Sequence, residues 1–194
     1  MKLQSFLLAG LVAGLLSACS NCSSCKDDGH TAVAEQHKAI TTEVLEPYSC
    51  GSIQRMHTLG GVFLASQPAE ADLAQARDGG VKTVINMRKP AELKFDEAAL
   101  VQNLGLNYMN PAWNGVDELT DEVFTEYREM LKTAQRPILL HCGSANRVGA
   151  VWIPYRVLDE GLSLEAALAE AKVVGLKTAE YEAKAIDYVQ RHQK

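Results

Sequence analysis

One cysteine and one arginine, with four small or turn-forming residues between them, stand where chemistry is most easily done: Cys142-Gly143-Ser144-Ala145-Asn146-Arg147. The apolar run at 138–140 has the length and composition of a buried strand, and 148–158 reads as a helix. The loop therefore joins a strand to a helix N-terminus. The first amides of a helix lack intrahelical partners and carry the positive end of its dipole, so they suit an anion. Small residues let successive amides turn inward, and Arg147 can offer paired donors to one phosphate-like group. The same field favours a thiolate, which predicts a nucleophilic Cys142. A buried cysteine before an ordinary turn is the plainer account of Cys142 alone, because free cysteine packs well as a small core residue. Its pairing with Arg147 across such a loop favours a catalytic or anion-binding site.

His141-Cys142, the short loop and Arg147 at a helix start resemble the signature loop of the cysteine-dependent protein tyrosine and dual-specificity phosphatases. The upstream order is similar too: Gly60-Gly61-Val62-Phe63-Leu64-Ala65-Ser66-Gln67-Pro68, then Val81-Lys82-Thr83-Val84-Ile85-Asn86-Met87-Arg88. From about residue 52 to the C-terminus the chain resembles the bacterial phosphatase-like family also found fused to metallo-β-lactamase-type hydrolases. The resemblance implies Cys142 as nucleophile and Arg147, with the amides of Gly143, Ser144, Ala145 and Asn146, as the phosphate-holding groups. It also implies a general acid on the loop before the 121–132 helix. Asp117 is the candidate, with Glu118 and Asp121 behind it; the alternative is that these acids only complement the dipole of that helix. His141 is expected to order the loop through a side-chain hydrogen bond rather than to act as a base. Trp113 is expected to pack beneath the loop, and Arg88 to make a structural contact near its strand end. The substrate implied is a phosphorylated protein or small molecule, with no metal or other cofactor required.

Two departures leave other readings open. The loop is one residue shorter than the usual phosphatase loop, and Val148 stands where phosphatases commonly carry a hydroxyl. The shorter loop resembles that of the rhodanese sulfurtransferases, so sulfur transfer through a Cys142 persulfide is the second reading. The third is a non-catalytic module for phosphate-bearing or other anionic ligands.

The elements that must hold this loop can be read in order. Residues 53–58 and 62–65 flank Leu59-Gly60-Gly61 as a hairpin. Pro68 is placed to open a helix ended by Gly79-Gly80, and 81–87 is the next strand. A helix over 91–104, a short strand at 107–109 and a helix over 121–132 with Thr120 as its cap follow. After the 138–142 strand and its helix, 162–174 and 179–192 read as amphipathic helices. Such alternation predicts an α/β fold: a mostly parallel central sheet of about four to five strands, flanked by helices as in the phosphatases.

The N-terminus reads separately. Met1-Lys2, the apolar stretch 6–16 and Leu16-Ser17-Ala18-Cys19 read as a signal peptide over 1–18 ending in a lipoprotein box, with Cys19 the lipidated residue. A plain secretory signal cut near Ala18 predicts the same export. Residues 19–42 are polar and aperiodic, a flexible tether to a domain over 43–194. The chain is thus expected in the bacterial cell envelope, at the periplasmic face of the outer membrane, held by its lipid. Cys22 and Cys25, with His30 and His37 nearby, have no second ligand pair at finger-like spacing, so thiols or a disulfide are the simpler account. Cys50 is expected within about 7 Å of Cys142, close enough to trap it reversibly as a disulfide. Twenty-four acids against 19 lysines and arginines, a net charge of −5, argue against a nucleic-acid partner.

Overall fold

A pair of glycines makes the first turn of the sheet. Met56–Leu59 (β2) and Val62–Ala65 (β3) pair antiparallel, and Gly60 and Gly61 between them have φ of 56° and 77°. A two-residue hairpin turn of type I′ needs both central residues in that left-handed region, where a side chain is penalised. The computed structural model describes residues 42–193. Thr83–Asn86 (β4), Asn107–Met109 (β5) and Ile138–His141 (β6) complete the sheet with a two-residue edge strand, Glu46–Pro47 (β1). The strand order is β1-β2-β3-β6-β4-β5, with β6 parallel to both neighbours and β5 parallel to β4. The α/β architecture and parallel central strands expected from the sequence are present. The sheet has six strands because β1 adds to its edge, where a proline is tolerated.

Helices cover both faces. Glu70–Asp78 (α1) and Glu97–Asn103 (α2) contribute Leu73, Ala76 and Val101 to one core, against Phe63, Ala65, Val84 and Leu139. Asp121–Thr133 (α3), Asn146–Leu158 (α4), Leu164–Val174 (α5) and Ala179–His192 (α6) cover the other face. There Phe124, Tyr127, Val151, Ala171 and Tyr188 meet Leu64, Ile85, Ile138 and Leu140. The alternation of strand residues between the two cores is the period-two pleat at work. Every residue of β6 is buried, as a parallel strand covered on both faces must be.

Four expectations need correction. The helix expected over 91–104 is two pieces, a 3₁₀ turn Pro90–Glu92 and then α2. Pro90 opens the first, Leu93 is extended, and Asp96 caps the second by accepting from Ala99 N at 3.0 Å. Pro68 lies outside α1; Ala69 is its N-cap, and the Asp72 carboxylate holds that end by accepting from Ala69 N at 2.8 Å. Thr120 stands at the N-cap of α3, but its hydroxyl bonds no helix amide. Finally, Cys50 and Cys142 both carry free thiols and belong to separate cores on opposite faces of the sheet. The sheet between them rules out the expected bridge. The segment 1–41, with the signal peptide, Cys19, Cys22 and Cys25, falls outside the described residues; Thr42 is already pinned, its carbonyl accepting from Gly60 N at 3.0 Å.

Candidate active site

Cys142 follows β6 directly, at the carboxyl end of the central strand, where open α/β sheets place their ligand sites. It is 1% exposed, with its amide donating to Ala65 O at 3.4 Å. The chain then turns through Ala145, whose φ of 66° makes it the one non-glycine residue in the left-handed region among the described residues. That conformation costs on the order of 1 kcal/mol for a residue with a Cβ. Helix α4 starts at once, at Asn146, so Arg147 sits in its first turn. Among the described residues, the amides of Gly143 to Val148 donate to no backbone or side-chain acceptor; the first bonded one is Gly149 N, to Ala145 O at 3.0 Å. Six successive amide donors at a helix N-terminus are therefore without a protein acceptor among the described residues, the feature that suits such an end to an anion.

Arg147 is fixed before any ligand arrives. Its Nη1 donates to Trp113 O at 2.6 Å, Glu92 Oε2 at 3.0 Å and Met87 O at 3.1 Å, and its Nη2 donates to Glu92 Oε1 at 2.7 Å. Nε and the second Nη2 hydrogen are the donors left for an anion. Burial by itself pulls the pKa of this guanidinium down, but the Glu92 hydrogen bond and the charges of Cys142 and Glu92 carry it above its ordinary value. Glu92 is held below the usual carboxylate range, chiefly by its hydrogen bond to Arg147. Both partners are thus charged at neutral pH.

A chain of polar side chains runs beneath the loop. His141 Nε2 meets Glu97 Oε1 at 2.8 Å, with both side chains fully buried. Gln67 Nε2 donates to the other Glu97 oxygen at 2.8 Å, and Gln67 Oε1 accepts from Arg88 Nη1 at 2.7 Å. Arg88 Nη2 donates to Glu92 O, which returns the chain to the partner of Arg147. Gln67 N also donates to Gly143 O at 3.3 Å, so the same residue touches the loop backbone. Arg88 is the structural contact expected of it. Among the described residues four buried side-chain nitrogens have no hydrogen-bond partner, and three of them belong here: Arg88 Nε, Trp113 Nε1 and His141 Nδ1.

The other predicted site residues fall in different places. Asp117 lies exposed in the turn after Trp113 and, among the described residues, makes no hydrogen bond or ion pair, so its carboxyl is uncommitted. Glu118 is committed: Lys89 Nζ reaches it at 2.5 Å and Asn114 N donates to it at 2.8 Å. Asp121 is held in a two-bond pair by Arg191, at 2.5 and 2.7 Å. Trp113 is buried in the same core as Cys142, Ala145 and Val148, edge-on to Tyr181 with centroids 5.2 Å apart. Asn146 turns its side chain away from the loop mouth: Oδ1 accepts from Lys177 N at 2.8 Å and Thr178 N at 3.2 Å, and Nδ2 donates to Thr178 Oγ1 at 2.8 Å. Only its backbone amide can serve an anion at the loop. The sequence pointed to the loop but not to Glu92, Glu97 or Gln67; the Gln67–Glu97, Glu97–His141 and Glu92–Arg147 contacts join residues 30, 44 and 55 apart along the chain.

No family model matches the chain, and no curated protein matches it by sequence. Solved structures do. Pseudomonas aeruginosa TpbA, as a cysteine-to-serine variant with pTyr, is 19% identical and superposes with a TM-score of 0.61 over 75% of this chain and 94% of its own. Tk-PTP in its active form is 21% identical, with a TM-score of 0.56 over 68% of this chain and 93% of its own. The fold is that of the tyrosine phosphatase-like proteins. PTPMT1 in complex with PI(5)P shares this phosphatase fold at 14% identity, with a TM-score of 0.55 over 67% of this chain and 93% of its own.

Proposed function

We propose that the chain is a cysteine-dependent phosphatase that hydrolyses phosphate monoesters through a phosphocysteine. The observation that carries this is the run of unpartnered amides from Gly143 to Val148, directly after Cys142 and beside an arginine already oriented by Glu92. The Cys142 thiolate attacks phosphorus, and the bond from phosphorus to the ester oxygen breaks. Asp117 gives its proton to that leaving oxygen. The loop amides and the free donors of Arg147 take the charge on the phosphoryl oxygens, where preorganised donors are most effective. Water then attacks the phosphocysteine, Asp117 recovers a proton from it, and phosphate leaves with the thiolate restored. The likeness to structures holding pTyr and PI(5)P supports a phosphorylated substrate. On aryl phosphate under reducing conditions, Cys142→Ser should abolish turnover and Arg147→Ala should reduce it at least about a hundredfold; hydrolysis unaffected by Cys142→Ser sinks the mechanism.

The four-residue spacing between Cys142 and Arg147 favours sulfur transfer as the second reading. Thiosulfate:cyanide transfer that exceeds aryl phosphate hydrolysis at equal enzyme would put it first. The envelope location belongs to this proposal as well: export, acylation at Cys19 and anchorage to the membrane. Labelled palmitate should enter the mature chain and be lost in Cys19→Ala.

A further inference from the structure

A cavity of about 730 Å³ opens beside the candidate loop, with Gly143 and Ser144 in its wall. Three cations rim it, Arg55, Lys172 and Lys177, and no acidic residue lines it, although acids outnumber bases in the chain by 24 to 19. Lys172 already faces Glu182 at 3.2 Å. Arg55 and Lys177 have no acidic partner among the described residues.

The backbone fixes where these two start. Lys177 N is bonded to the side chain of Asn146, one residue before Arg147, at 2.8 Å. The Arg55 backbone is bonded in both directions to Ser66, N to Oγ at 3.1 Å and O from N at 2.8 Å. Ser66 precedes Gln67, which bonds Gly143 O. Gly175 completes the arrangement: a Cβ there would come within 3.1 Å of Ala145 Cβ, Arg55 Cδ and Ser144 O. Its missing side chain lets the stem of Arg55 lie against the loop. Both cations are therefore tied to the loop that would bind the scissile phosphate.

We propose that this cavity is a second anion subsite, and that the substrate carries a second phosphate group besides the one hydrolysed. Arg55 and Lys177 hold the second group while the Gly143–Val148 amides and Arg147 hold the first. This rests on the phosphatase reading of the loop and adds the substrate class to it. The second phosphate can belong to a soluble polyol phosphate or to a lipid headgroup, and the chemistry at the cavity is the same for both.

The test is calorimetric binding to the full-length chain carrying Cys142→Ser, which needs no turnover. Inositol 1,4-bisphosphate should bind roughly tenfold tighter than inositol 1-phosphate, since each exposed cation contributes only a few-fold. Arg55→Gln with Lys177→Gln should remove that advantage, and Lys177→Glu alone, at an exposed position, should reduce it. A comparison arm with phosphatidylinositol 4-phosphate in phosphatidylcholine vesicles identifies the source: tighter binding there than to the soluble bisphosphate assigns a lipid headgroup, equal or weaker binding a soluble one. Equal affinity for mono- and bisphosphate, or an advantage that survives the charge-removing variants, overturns the subsite and leaves the loop reading standing. Binding of both probes that is unchanged by Arg147→Ala overturns the loop reading and the subsite with it.

Discussion

A guanidinium presents its fork to a phosphate only if something else fixes its plane, and in this chain Glu92 does so. It spans both Nη atoms of Arg147, while two backbone carbonyls, Met87 and Trp113, take the rest of Nη1. Glu92→Gln keeps the shape but removes the charge and one acceptor. It should lower kcat/KM on aryl phosphate by up to about a hundredfold, with kcat falling more than KM rises, because misorientation penalises the transition state. The pH dependence has a definite sign. The Glu92 carboxyl titrates below its ordinary value of 4.5 when folded, so the clamp is fully present above that pH. It is lost as pH falls through the lower, folded value. Phosphate affinity of the Cys142→Ser chain, followed by calorimetry, should therefore show no loss from this pair between about pH 7 and 5, and lose it only as pH falls below the ordinary value of 4.5. A carboxylate that lost its charge near pH 6 would contradict the assignment.

At the scale of elements, the loop depends on where α4 can start and what it can lie against. Gly149 faces the end of α5 so closely that an added Cβ would stand 2.8 Å from Ala171 O and from Leu176 Cβ. Ala171 O and, at 3.0 Å, Leu176 N are backbone atoms, and Leu176 Cβ is fixed to its own backbone, so none of them can give way cheaply. Gly149→Ala should destabilise the fold by about 1–3 kcal/mol despite the better helix propensity of alanine. Urea denaturation should show a lower midpoint with an unchanged m-value; equal or greater stability would mean the crossing is looser than it stands. Much of this level was legible in the sequence. The Gly60-Gly61 turn, the 138–141 strand and the helix after the loop announced themselves through turn chemistry and apolar runs. The break between Pro90 and Asp96 was missed because apolar spacing over 91–104 suited one helix, although Lys89-Pro90 and Asp96 were local signs of two starts. The clamp was not legible at all. Nothing near Glu92 or Glu97 in sequence says that it will meet Arg147 or His141 across 55 or 44 residues.

Across the whole molecule, the sheet divides the two described cysteines. Cys50 lies in the α1/α2 core, and its thiol is pushed up to about 11 by burial and then by the charge of Asp72. Cys142 lies in the other core at the end of β6. Cys50 lies in the connection between β1 and β2, with its thiol against Asp72 O of α1 at 3.8 Å, so the separation depends on how that loop folds onto α1, which no local pattern announces. The consequence is testable by mass spectrometry after brief iodoacetamide treatment at pH 7. The Cys50 peptide should stay unmodified in the folded chain and become modified only in denaturant, since a thiol with so high a pKa is almost entirely protonated. Equal labelling in the folded and unfolded chain would remove the case for a buried Cys50.

The loop is also held from both ends before anything binds. Glu92 fixes Arg147, the Asn146 side chain is fastened to Lys177 and Thr178, and Gln67 ties down Gly143 O. That arrangement has a kinetic meaning. With these three loop residues already anchored, an oxyanion such as vanadate should associate in one exponential phase whose observed rate rises linearly with concentration. A rate that levelled off would expose a slow rearrangement ahead of or behind the encounter. Stopped-flow traces at increasing vanadate distinguish the two. Freeing Asn146 from its anchors, as Asn146→Ala does, should turn the straight line into a curve.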